Sequence, residues 1–107
     1  MLYKFKSKAA GDLIMLEANG RRVLEIIGKD PGPTGIILPQ QMAPAVAALE
    51  QAIVREEAEQ KAAIEEARAA GQQPPKFDAI GLRQRALPFI DMLRRCEKAD
   101  REIVWGV

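Results

Sequence analysis

TGIILPQQMAPAVAALEQAIV, residues Thr34 to Val54, is the longest stretch of the chain with a clear helical apolar period, and its reading decides the fold. Pro39 suits the first turn of a helix, where the missing N–H costs nothing and the fixed φ helps. Behind it Met42, Ala45, Val46, Leu49, Ala52 and Ile53 recur at three- and four-residue steps, which places them on one face. Gly35–Leu38 is too short for a helix and reads as a buried extended lead-in, while Pro44 falls early enough in the helix to be tolerated. The apolar stripe fades after Val54, but the helix-forming composition continues through Arg55–Ala70, REEAEQKAAIEEARAA. Glu57 and Lys61 make a favourable pair four residues apart, and Ile64 is the one large apolar side chain there. A helix continuous to Ala70 is on the order of 45 Å long. That exceeds what a domain of this size needs, so its second half is expected to project into solvent, pair with another copy, or fray.

Working outward, Leu2–Lys6 alternates, with Tyr3 and Phe5 on one side, and reads as a short strand. Ser7 or Asp12 can cap a following helix. Leu13, Leu16, Gly20, Val23, Leu24 and Ile27 keep a helical period, which predicts one helix over Asp12–Gly28 with Gly28 ending it. The turn signal Asn19-Gly20 supports a rival reading, a strand Leu13–Glu17 followed by a helix Arg21–Ile27. Asp30–Gly35 is a loop by composition, and Gly71–Pro75 is a polar, proline-rich linker. Gly81 to Gln84 open a last helix with Leu82, Ala86, Phe89, Ile90, Leu93 and Cys96 on one face and Pro88 as a kink. Glu102–Val107 is β-branched and aromatic and suits a terminal strand paired with Leu2–Lys6. There are no internal repeats. The expected fold is α+β and mainly helical. It has three helices, one long and one proline-kinked, with a small sheet from the N- and C-terminal strands, all within one domain over residues 1–107.

Composition bounds the chemistry. The 107 residues are 48% hydrophobic with a net charge of +1. This argues for a folded chain and against a general attraction to nucleic acid or anionic membrane. One cysteine rules out an internal disulfide and fits a reducing compartment. No signal peptide and no apolar span is legible. A cytoplasmic protein with no membrane association is the expectation. The chain has no histidine, which removes the commonest general base and, with a single cysteine, any plausible zinc site. The glycines of Asp30–Gly35 lack P-loop spacing. No cofactor and no catalytic constellation is expected, and the chain leans away from being an enzyme.

Each distinctive residue has an ordinary role and a functional one. Asp91 can pair with Arg95 four residues on. Cys96 faces the core as a small apolar residue, although Arg94 and Arg95 beside it would activate an exposed thiol for redox chemistry. Arg83, Arg85, Arg94, Arg95, Lys98 and Arg101 make the C-terminal part basic. Over Gly81–Val107 these six cations stand against four anions, Asp91, Glu97, Asp100 and Glu102, a thin excess for tracking phosphates. Trp105 either closes the core from an edge strand or anchors an exposed tail for a partner. Arg85, Arg94, Arg95 and Trp105 are therefore the candidate interaction residues. The expected function is a non-enzymatic protein-binding or adaptor module, with an unknown partner or self-association through the long helix. The alternatives are a nucleic-acid accessory protein working through the last helix and a thiol protein working through Cys96.

The order of segments also carries a resemblance. MLYKFKSKAAGDLIML, VLEIIGK, GIILPQQM and AVAAL resemble the N-terminal half of the small bacterial family known as domain of unknown function 1840. LRQRALPFIDMLRRC, an aspartate and IVWG resemble its C-terminal end. The likeness spans nearly the whole chain except Arg55–Lys76. It implies that Arg85, Pro88 and Trp105 belong to family motifs, and it brings no activity, cofactor or catalytic residue with it.

Overall fold

Four strands and three helices make up the chain in this computed structural model, which describes residues 2–77 and 80–106. The order is β1 (Leu2–Ser7), β2 (Ala10–Leu16), α1 (Glu17–Ile26), β3 (Gly35–Ile37), α2 (Pro39–Ala69), α3 (Leu82–Ala99) and β4 (Ile103–Trp105). The strands make one antiparallel sheet in the order β2-β1-β4-β3. The expected pairing of the two ends of the chain is present, with Phe5 opposite Trp105 and Lys6 opposite Val104. Val107, the last residue of the expected terminal strand, lies outside the described residues. Gly35–Ile37, the extended lead-in to α2, is the strand β3 on the far side of β4.

The single helix expected over Asp12–Gly28 is a correction. Its first part is β2, joined to β1 by a turn at Lys8-Ala9, and α1 starts directly at Glu17. The rival reading, a strand Leu13–Glu17 and a helix Arg21–Ile27, has the right order of elements but places the break too late, because Asn19 and Gly20 lie inside α1. Leu13 and Leu16, three apart, would share a face of a helix, but in the strand they point to opposite faces, Leu13 against the core and Leu16 outward. Pairing with β1 decides it, with Leu13, Met15 and Leu16 opposite Phe5, Tyr3 and Leu2. Gly20 serves a close approach rather than a turn. A Cβ at that position would collide with the Tyr3 ring, so α1 accepts a glycine costing about 1 kcal/mol of helix propensity in order to lie on the sheet. Gly28 has φ +82° and follows α1 as foreseen, donating its N–H to Glu25 O while Lys29 N–H reaches Leu24 O.

The long helix runs Pro39–Ala69 without a break at Pro44, and α3 runs Leu82–Ala99 through Pro88. Both prolines are exposed, where water can take the carbonyl that loses its donor. The first N–H groups are met by side chains one turn on. Gln41 Oε1 accepts from Leu38 N–H at 2.9 Å, and Gln84 Oε1 accepts from Gly81 N–H at 3.1 Å. α3 lies antiparallel to the first half of α2, so that Glu50 meets Arg94 and Glu57 meets Arg83. This is the expected helical hairpin.

The core forms between one face of the sheet and the helices. Tyr3, Phe5, Met15, Ile37, Ile103 and Trp105 bury against Val23 and Leu24 of α1, Met42 and Leu49 of α2, and Phe89, Leu93 and Cys96 of α3. Phe5 is central, with its ring 4.8 Å from Phe89 and 6.0 Å, edge-on, from Trp105. The two polar tips in this aromatic layer are satisfied by one loop. Tyr3 Oη donates to Pro31 O at 2.7 Å, and Trp105 Nε1 donates to Gly32 O at 3.1 Å. The loop Asp30–Gly35 is thereby tied to the sheet. The molecule measures 53 × 28 × 21 Å. Its length comes from α2, whose last buried residue is Ile53, sixteen residues before its end.

Candidate functional site

Trp105 is buried at 2% exposure in β4. The terminal segment closes the core, and Trp105 stands apart from the arginines of α3. Those arginines are themselves separated. Arg94 is exposed and donates to Glu50 at 3.1 Å, while Arg95 pairs with Asp91 at 3.0 Å on the same helix. Arg85 is half-buried at the other end of α3. Arg83 completes the set with a two-pronged hydrogen bond to Glu57, both contacts 2.8 Å. Cys96 is fully buried, among residues of the core rather than on the arginine-bearing surface. Among the described residues, no group of three or more His, Cys, Asp or Glu side chains stands close enough to hold a metal ion.

A polar cleft of about 290 Å³ lies where α1, α2 and the start of α3 converge. Asn19 and Arg22 come from α1, Glu56 and Gln60 from α2, and Arg85 from α3. Glu56 organises it. One carboxylate oxygen accepts from Leu82 N–H at 2.9 Å and the other from Arg22 at 2.9 Å. The Leu82 N–H, followed by Arg22, holds the Glu56 carboxyl below the ordinary glutamate value of 4.5, and burial opposes them. Glu57 is likewise lowered, chiefly by its hydrogen bond from Arg83. A carboxylate from α2 thus caps the first turn of α3, where the helix dipole favours negative charge. The sequence marks Arg55–Ala70 only as a charged helical extension and does not disclose this role. Nothing in the spacing of Glu56 marks it, because its partners come from 26 and 34 residues away.

Two apolar surfaces were also missed. The sheet is covered by helices on one face only. Its other face presents Leu2, Ile14, Leu16 and Ile36, exposed at 56, 56, 63 and 42%. Leu2 stands opposite Leu16 and Lys4 opposite Ile14, so Leu2, Ile14 and Leu16 are neighbours on β1 and β2, while Ile36 lies on the far edge strand beyond Lys6 and Val104. Lys4, at 3.6 Å from Asp12, and Lys6 stand in the middle of this face. Strict alternation could have signalled it, since Leu2, Ile14, Leu16 and Ile36 all fall out of phase with the core. The second surface is the pair Val54 and Leu87, on the outer side of the α2–α3 hairpin.

An antiparallel four-stranded sheet with helices packed on one side and apolar and basic side chains exposed on the other defines a small α+β domain. The family model described as Domain of unknown function (DUF1840) matches residues 1–105, and the chain belongs to that family. No curated protein and no solved structure matches the chain. Among the described residues, no helix is long and apolar enough to cross a membrane.

Proposed function

We propose that the protein is a non-enzymatic protein-binding module whose working surface is the open face of the sheet. The observation that carries this reading is the group Leu2, Ile14 and Leu16, large apolar side chains held exposed side by side on β1 and β2 of a four-stranded sheet. Apolar side chains scattered singly over a surface are ordinary, but Leu2, Ile14 and Leu16 adjoin one another across β1 and β2 and form a patch. Lys4 and Lys6 within it favour a partner segment that carries carboxylates beside its apolar residues.

Affinity capture of the tagged protein from its own cells tests this, with and without nuclease, beside an Ile14→Asp/Leu16→Asp variant. Both side chains point away from the core, so the variant keeps its fold, which circular dichroism checks. The expected result is a protein partner that survives nuclease and disappears with the variant. Recovery that collapses with nuclease, or a partner retained by the variant, overturns the reading.

A further inference from the structure

The second apolar surface has a property the sheet face lacks: it is complementary to itself. Between α2 and α3 lies a groove of about 120 Å³, floored by Ile53 and Ile90 and rimmed by Val54 and Leu87. Val54 and Leu87 are 62% and 50% exposed, although they sit on helices whose other large apolar residues are mostly buried. Above and below them stand the pairs Arg83–Glu57, at 2.8 Å, and Arg94–Glu50, at 3.1 Å. Both carboxylates come from α2 and both guanidinium groups from α3, with the apolar pair between them.

That order of signs selects one symmetric pairing. A two-fold axis running along the hairpin lays α2 of one copy over α3 of the other at the same height. Glu50 then faces Arg94 of the second copy, Glu57 faces its Arg83, and Val54 faces its Leu87. Each ion pair meets its own image with the signs reversed. An axis running across the hairpin would instead set Glu50 against Glu57 and Arg83 against Arg94, which like-charge repulsion opposes. Closed two-fold dimers require this kind of self-matching patch. We propose that this chain forms a symmetric homodimer through the Val54–Leu87 face of the α2–α3 hairpin. The same axis sends the second halves of both α2 helices out of the dimer side by side in one direction. Ala58, Lys61, Ala62 and Glu65 continue the Val54 face at helical steps. The open sheet face stays free for a different partner.

Sedimentation velocity of the full chain from micromolar to millimolar concentration tests the dimer. The expected species has twice the 11.8 kDa mass of one chain. Leu87→Glu is expected to weaken association by about tenfold or more, with the far-UV spectrum and urea midpoint as controls on folding. Glu50→Arg is expected to weaken it as well, by setting arginine against Arg94. The double variant Glu50→Arg/Arg94→Glu restores the opposition of signs between identical copies and is expected to dimerise again. Mixed with the parent chain, it is expected to form no mixed dimers, because Glu50 would then face the introduced glutamate. A monomer at every concentration overturns the proposal, as does a dimer unaffected by Leu87→Glu or a double variant that fails to recover. Ile14→Asp/Leu16→Asp is expected to remain dimeric, so the loss of a sheet-face partner and the loss of the dimer are read separately.

Discussion

The two halves of α2 are one helix by geometry and two by cause. Pro39–Ile53 buries Met42, Ala45, Val46, Leu49 and Ile53 against the sheet and α3. Its helical state is stabilised by apolar area removed from water, which contributes roughly 1.5–3 kcal/mol for each large side chain fully buried. From Val54 to Ala69 no residue is fully buried. Gln60, Ala63, Ile64 and Ala67 are half-covered, on the side where Gln72, Gln73 and Pro75 run back along the helix. This half depends on alanine and glutamate propensity and on side-chain pairs of a few tenths of a kcal/mol each. Tertiary packing can therefore hold a helix of ordinary composition. Composition alone can extend it, but with little resistance to local opening.

Leu49→Ala gives the largest effect, because it removes a fully buried side chain from the packed half and leaves a cavity. It should lower the unfolding free energy by about 2–5 kcal/mol in urea titration, and a loss below about 1 kcal/mol would remove the distinction between the halves. Glu56→Gln acts where the halves meet. It leaves Leu82 N–H with a neutral acceptor and Arg22 without a counter-ion, at a cost of about 0.5–2 kcal/mol, the range seen for helix caps.

That second effect has a pH signature. The Glu56 and Glu57 carboxyls lie below 4.5 in the folded state, so their contribution is fully present above 4.5 and is lost as the pH falls through the folded values. Urea midpoints for the parent and Glu56→Gln should converge below that value. A gap that stays constant into acid would mean the carboxylate charge at Glu56 is not what α3 responds to.

Ala62→Gly gives the smallest effect. In a helix that unfolds with the core it would cost about 1 kcal/mol of global stability. In an arm that opens on its own it should shift the urea midpoint by less than about half that, while reducing helical circular dichroism. Hydrogen exchange sharpens the same point, with amides of 55–69 expected to exchange well before those of 42–53. Equal protection in the isolated monomer would show that the arm belongs to the cooperative unit.

Most of the fold was legible for identifiable reasons. Pro39, the stripe from Met42 to Ile53 and the helix-forming run to Ala70 located α2, and the match of Leu2–Lys6 to the terminal β-branched residues located the centre of the sheet. The error over Asp12–Gly28 came from Leu13 and Leu16, whose three-residue spacing mimics a helix face although the two point to opposite sides of β2, and from Asn19-Gly20, whose ordinary meaning is a turn. In the folded molecule Gly20 answers to the Tyr3 ring, a contact no local window contains. The basic character of α3 and its Asp91–Arg95 pair were also legible, whereas its neutralisation by Glu50 and Glu57 depended on which helices lie side by side.

What the sequence by itself determined was local: where helices and strands begin and end at prolines and glycines, which faces are apolar, and that histidine chemistry is absent. Those properties follow from backbone sterics and side-chain spacing over a few residues. Only the tertiary structure decided that Leu13–Leu16 is a strand, that Glu56 caps a helix 26 residues away, and that Leu2, Ile14, Leu16 and Ile36 share an uncovered face. Each depends on strand pairing or helix docking between distant segments. The free energy of such contacts resides in the surface the segments bury together, which neither segment carries alone.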